Sequence, residues 1–140
     1  MKNRALFVLG VSAIILFVGC NAQESSVTVT RVLPATVRGG ENFTVYLTMA
    51  VNGKLNAVGL EEDYPSGWIV SNNAPRGVLK NNPDRIEWLF LPIGEPIINR
   101  TISYTITAPK NYSGPASFNG KVIAKETNPI TGDTSINVIN

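Results

Sequence analysis

The chain has 140 residues, with 12 Lys+Arg against 10 Asp+Glu, one cysteine and no histidine. The missing histidine excludes Ser-His-Asp and Cys-His nucleophile systems and His-containing zinc sites. Near-balanced charge without a basic cluster excludes nucleic acid as a partner, and a single cysteine leaves no internal disulfide.

The N-terminus reads Met1-Lys2-Asn3-Arg4, an apolar run from Ala5 to Val18, then Gly19-Cys20. The run is shorter than the roughly 20 apolar residues of a comfortable membrane span, and it suits an export signal over 1–19. Lys2 and Arg4 would stay on the cytoplasmic side. Phe17-Val18-Gly19-Cys20 resembles a prokaryotic lipobox. That resemblance implies cleavage just before Cys20 and a diacylglycerol on its thiol, so that the membrane becomes a partner through lipidated Cys20. Two alternatives stay open: cleavage after Ala22, giving a soluble secreted protein, and an uncleaved, marginal membrane helix. Removing Lys2 and Arg4 leaves 10 Lys+Arg against 10 Asp+Glu, a formally neutral mature chain.

Residues 20–26 form the lipid attachment site and a small polar tether. Residues 27–140 are the length of one domain. Val27 and Val29 open a first strand that runs to Leu33, broken by Pro34 and Gly39-Gly40. Phe43, Val45, Leu47, Met49 and Val51 alternate with Asn42, Thr44, Tyr46 and Thr48, a strand with one buried face. Asn52-Gly53 marks a turn, and Leu55–Glu62 a third strand. After the Pro65-Ser66-Gly67 turn, Trp68–Ser71 reads as a short strand. Residues 72–83 read as loop with a short strand near Val78. Ile86, Trp88 and Phe90 share one face, and so do Ile102, Tyr104 and Ile106. After a loop over 109–115, Phe118, Val122 and Ala124 mark a strand, with Gly120 at the missing position. Thr134–Ile139 closes the chain. This amounts to about seven to nine short strands, no helix after the signal segment, and the turn spacing of an antiparallel β-sandwich.

Several of these residues carry a resemblance. Glu61-x-x-x-Pro65-x-Gly67-Trp68, then Glu87-Trp88, then Tyr104-x-Ile106-x-Ala108-Pro109, then Gly120-x-Val122, is similar to immunoglobulin-like modules of prokaryotic cell-surface proteins, of the archaeal surface-layer and cohesin type. The similarity covers Val27 to Ile139. It implies an all-β, immunoglobulin-like sandwich used for display, adhesion or assembly, and it carries over no catalytic residue.

Candidate sites are few. Asn42-Phe43-Thr44, Asn99-Arg100-Thr101 and Asn111-Tyr112-Ser113 are N-glycosylation sequons. Glu61-Glu62-Asp63 is the densest acidic run. Strand alternation puts Glu61 and Asp63 on one face and Glu62 on the other, so Glu61 and Asp63 are the candidate Ca²⁺ ligands, against the simpler reading of a solvated strand end. Trp68 is a candidate binding residue, weighed against packing at the sandwich edge; Trp88 reads as core. Glu61 and Glu87 are available as a carboxylate pair, but no spacing recommends them for glycoside hydrolysis. Lys121 and Lys125 alternate with Ile123, the pattern of a guarded sheet edge.

These readings lead to a non-catalytic, lipid-anchored module on the outer side of a membrane, with other envelope or extracellular proteins as partners and no required cofactor. Two further readings remain: a subunit that self-assembles by pairing its closing strand, Thr134–Ile139, with a neighbour's sheet, and a Ca²⁺- or ligand-binding lipoprotein.

Overall fold

The structure is a computed structural model that describes residues 24–140. The expected signal segment, 1–19, and Cys20 lie outside the described residues. The elements in chain order are β1 (Ser26–Val32), β2 (Thr36–Arg38), β3 (Asn42–Asn52), β4 (Val58–Asp63), β5 (Ile69–Ala74), β6 (Val78–Asn81), β7 (Asp84–Phe90), β8 (Arg100–Thr107), β9 (Gly114–Ser117), β10 (Asn119–Ile123), β11 (Thr127–Pro129), β12 (Thr131–Gly132) and β13 (Ser135–Ile139). The described residues contain no helix long and apolar enough to cross a membrane.

Two five-stranded sheets, β12-β1-β3-β8-β5 and β11-β10-β4-β7-β6, enclose the core, and a three-stranded sheet, β2-β13-β9, completes it. Period-two patterning builds both layers. β3 alternates strictly over most of its length, burying Phe43, Val45, Leu47 and Met49. From the other layer Leu60, Ile86, Trp88 and Val122 face inward. Each such side chain contributes about 1.5–3 kcal/mol on burial, which sets the register, since a one-residue slip would expose the whole set.

The structure has more strand segments than the sequence suggests because long strands are interrupted and because the short segments β11 and β12 pair with β10 and β1. Pro34 separates β1 from β2, and the two pieces pair with different partners, β3 and β13. Phe118 divides β9 from β10. It is fully buried while its N–H donates to Thr134 O at 2.8 Å, and there the chain passes from the small sheet to the second large one. Leu55 is buried from the loop before β4 rather than from the strand.

Two expectations change at sheet edges. β13 is flanked on both sides, parallel to β2 and antiparallel to β9, so it offers no free edge to a neighbour. β10 is covered by β11 on its outer side, which places Lys121 within the sheet face rather than on a guarded edge.

Candidate functional site

The outer face of the β11-β10-β4-β7-β6 sheet combines an apolar hollow with an ionic patch. Its rows follow from the register. Ile123, Gly59 and Leu89 lie side by side, then Lys121, Glu61, Glu87 and Val78, then Asn119, Asp63, Arg85 and Lys80. Gly59 leaves the first row without a central side chain, and a Cβ there would meet only the Ile123 side chain and carbonyl, no closer than 3.6 Å. The result is a shallow hollow of about 270 Å³ lined by Gly59, Glu61, Val78, Leu89 and Ile123 among others. Leu89 and Val78 are 67% and 59% exposed beside it.

The neighbouring rows are ionic. The Arg85 guanidinium donates to both Asp63 oxygens, at 2.5 and 3.1 Å. It lies 2.7 Å from Glu61 Oε2 and 4.0 Å from Glu87 Oε1. Lys121 Nζ stands 3.2 Å from Glu61, and Lys80 Nζ 3.7 Å from Glu87. The Asp63 hydrogen bonds, followed by the nearby carboxylates, raise the Arg85 pKa above its ordinary value, so this cation stays charged at any working pH.

The proposed Ca²⁺ ligands, Glu61 and Asp63, do share this face, but Arg85 occupies the space between them. Among the described residues no group of three or more His, Cys, Asp or Glu is placed to hold a metal ion. Glu61 and Glu87 are register partners, and both lie against the same guanidinium. Trp68 is buried, packing edge-on against Phe43, Tyr112 and Phe118 with ring centroids 6.0, 5.5 and 5.9 Å away. It is part of the core, and its place does not make it available to a ligand. Trp88 is also buried, and its indole N–H donates to Pro75 O at 2.8 Å.

The three sequon asparagines are exposed. Asn42 Oδ1 accepts from the Thr107 hydroxyl, and Asn99 Oδ1 accepts from Val51 N–H at 2.7 Å. Asn42 and Asn111 lie at the end of the sandwich opposite Ser26, whereas Asn99 lies at the same end as Ser26.

One cluster escapes a reading of the acidic run as solvated. Glu62 points inward and is fully buried, as is Arg31 on β1. Arg31 Nε and Nη2 donate to the two Glu62 oxygens at 2.7 and 2.6 Å, and Tyr104 OH donates to Oε1 at 2.8 Å. Arg31 Nη1 donates to Asp133 O at 2.9 Å, with Phe118 O at 3.4 Å. Burial pushes the Glu62 carboxyl above its ordinary value, against the opposing pull of Arg31 and Tyr104. Burial, then the Glu62 charge, pushes the Tyr104 phenol well above its own. The signal was parity: Arg31 falls in phase with Val27 and Val29, and Glu62 with Val58 and Leu60. The cluster binds the two large sheets together and does not reach the surface.

No protein-family model matches this chain. An uncharacterized protein of Archaeoglobus fulgidus is 27% identical over 140 residues, covering 99% of this chain and 79% of its relative. Among solved structures, a non-cellulosomal cohesin from the same hyperthermophilic archaeon superposes with a TM-score of 0.50 at 11% identity, over 84% of this chain and 92% of that one. A type II cohesin domain from the cellulosome of Acetivibrio cellulolyticus gives a TM-score of 0.45 at 9% identity, over 82% and 92%. The likeness to the archaeal domain shows the fold: this chain is a cohesin-like β-sandwich.

Proposed function

We propose that this protein is a non-catalytic docking module, held on the outer face of a cell membrane by a lipid on Cys20, which binds other envelope or extracellular proteins through the β11-β10-β4-β7-β6 face. The observation that carries the docking reading is the contrast between the two outer faces. On the opposite sheet the register sets Thr30, Thr48 and Thr101 side by side, with the exposed Val32 and Tyr46 beside Ser103 in the next row, so these two rows carry hydroxyl and apolar groups but no charge. The proposed face joins an uncovered apolar hollow at Gly59 to oriented charges around Arg85, the mixture of apolar centre and polar rim that protein interfaces use. Pre-set charges give register and partner choice rather than raw affinity.

The anchor is supported by the lipobox-like Phe17-Val18-Gly19-Cys20 and by the short run of sequence between Cys20 and Ser26. It is tested by the intact mass of the membrane-fraction protein beside a Cys20→Ser variant. A diacylglycerol increment lost in the variant is expected, and a soluble chain starting near Gln23 would overturn it. The same spectrum reads hexose additions at Asn42, Asn99 and Asn111.

Docking is tested by a photo-crosslinking residue placed at Leu89 or at Thr48 in the producing cells. A discrete protein adduct from Leu89, lost when Arg85→Glu is added, is the expected result. Equal adducts from both positions, or none from Leu89, would remove the face assignment.

A further inference from the structure

The end of the sandwich where the chain enters also carries the most exposed large apolar side chain among the described residues. Loop 91–99, between β7 and β8, presents Leu91, Ile93 and Ile98 at 47%, 83% and 54% exposure. The loop is fixed from below. Ile97 is buried within it, Asn99 Oδ1 accepts from Val51 N–H, and Ile93 N–H donates to Leu91 O at 2.9 Å. Pro92 and Pro96 restrict the backbone. An apolar tip held in one shape has little ordering cost on contact.

Its position follows from the ladders. Ser26 at the start of β1 pairs with Asn52, and Met49 of the same strand pairs with Arg100 at the start of β8. Loop 91–99 and the entering chain therefore share one end. Six chain steps separate Cys20 from Ser26, a reach of at most roughly 20 Å. The 11 residues of β3 extend about 36 Å. A domain held at Cys20 thus keeps this end at the bilayer. Charges here nearly cancel: by the order of strands and turns, Glu24, Glu95 and Glu126 stand with Lys54, Arg76, Arg100 and Lys125. What the end offers a membrane is apolar surface.

We infer that loop 91–99 seats in the bilayer that holds the N-terminal segment, with Leu91, Ile93 and Ile98 at the boundary between headgroups and acyl chains. The inference rests on the membrane-anchored reading above, and it fixes how the domain stands: the loop end down, and the Asn42 and Asn111 end away from the membrane.

The test uses the full chain, extracted from its membrane fraction and reconstituted into phosphatidylcholine vesicles with ordinary or brominated acyl chains. Ile93→Trp places an indole on the loop, and Ile69→Trp places one at the far end, where Ile69 is 68% exposed. The buried Trp68 and Trp88 give both variants a common background. Expected is blue-shifted Ile93→Trp emission that is lost in brominated vesicles, with Ile69→Trp emission unchanged. If the chain floats with vesicles but Ile93→Trp is not quenched, the loop inference falls and the anchor stands. A blue shift without quenching would mean that protein covers the loop, and would overturn the inference equally. If the chain does not float at all, the anchor fails and the inference fails with it.

Discussion

Glu61, Glu62 and Asp63 are consecutive, yet they belong to two different ion clusters. Glu62 meets Arg31 at 2.6 Å with both side chains fully buried. Asp63 and Glu61 meet Arg85 at 2.5 and 2.7 Å with side chains 19–32% exposed. Contact lengths are nearly the same, so distance does not distinguish the clusters. Solvent does. Inside, both ions have lost their hydration, and each depends on the other's charge and on every remaining hydrogen bond. Outside, water screens the pair and replaces a lost partner cheaply. Strand parity alone assigns neighbouring residues to these two regimes.

The inner cluster should break hardest. Glu62→Leu leaves the Arg31 guanidinium buried without its counter-charge, and the expected loss is about 3–5 kcal/mol of unfolding free energy. That is a large share of the about 5–15 kcal/mol typical of a domain. Arg31→Met alone should do similar damage. The double variant Arg31→Met/Glu62→Leu removes both charges and should recover most of the loss, measured by urea unfolding of all three variants. Additive losses in the double variant would show that packing around the pair matters more than its charges.

Gly120 sharpens the same point through space rather than charge. It is the register partner of Glu62, and a Cβ there would stand 2.5 Å from the Ile130 methyl Cδ1, 2.6 Å from Glu61 O and 2.7 Å from Glu62 Oε2. Gly120→Ala should therefore cost about 1–3 kcal/mol by forcing the Ile130 side chain and the carboxylate or the β4 backbone to move. A neutral result would mean that the pair has room to shift.

Protonation gives a gentler break. Because burial raises the folded Glu62 pKa above its ordinary 4.5, the folded state holds this proton more tightly than the unfolded chain. Its contribution is then fully present below the unfolded value and is lost as pH rises through the folded one. The stability of the wild type relative to Glu62→Gln should fall as pH rises from about 4.5 and then level off. A difference that grows with pH would mean that Arg31 and Tyr104 outweigh burial.

What the sequence made legible follows the same division. The faces of β3 and β8 were readable because apolar and polar residues alternate over most of their length, and that of β7 because Ile86, Trp88 and Phe90 keep phase although Leu89 stands on the outer side. Glu62 was readable in phase but not in environment. Parity put it opposite Glu61 and Asp63, yet a carboxylate between two others looks solvated until Arg31, 31 positions earlier, is seen across the core. Trp68 was harder still, because the turn before it gives no parity; the aromatic rings around it come from β3 and from residues 112 and 118. The hollow at Gly59 depends on strand order: only when β10 and β7 flank β4 do Ile123 and Leu89 frame a missing side chain. Local pattern fixes which way a residue points, and long-range pairing decides what it meets.

Arg85 gives the smallest expected effect on stability and the most informative one on function. Its partners are part-exposed, so Arg85→Met should change unfolding free energy by only about 0–1 kcal/mol. The same change removes the cation shared by Glu61, Asp63 and Glu87, leaving Lys121 on Glu61 and Lys80 on Glu87 but, among the described residues, no counter-charge on Asp63, so the arrangement beside the Gly59 hollow loosens. Crosslinking from Leu89 should then weaken while the urea midpoint barely moves. That separation is what a docking face requires, because a merely structural network would lose both together or neither. If Arg85→Met unfolds the protein as severely as Glu62→Leu, the outer cluster is a structural tie like the inner one, and the charged rows beside the hollow lose their role in choosing a partner.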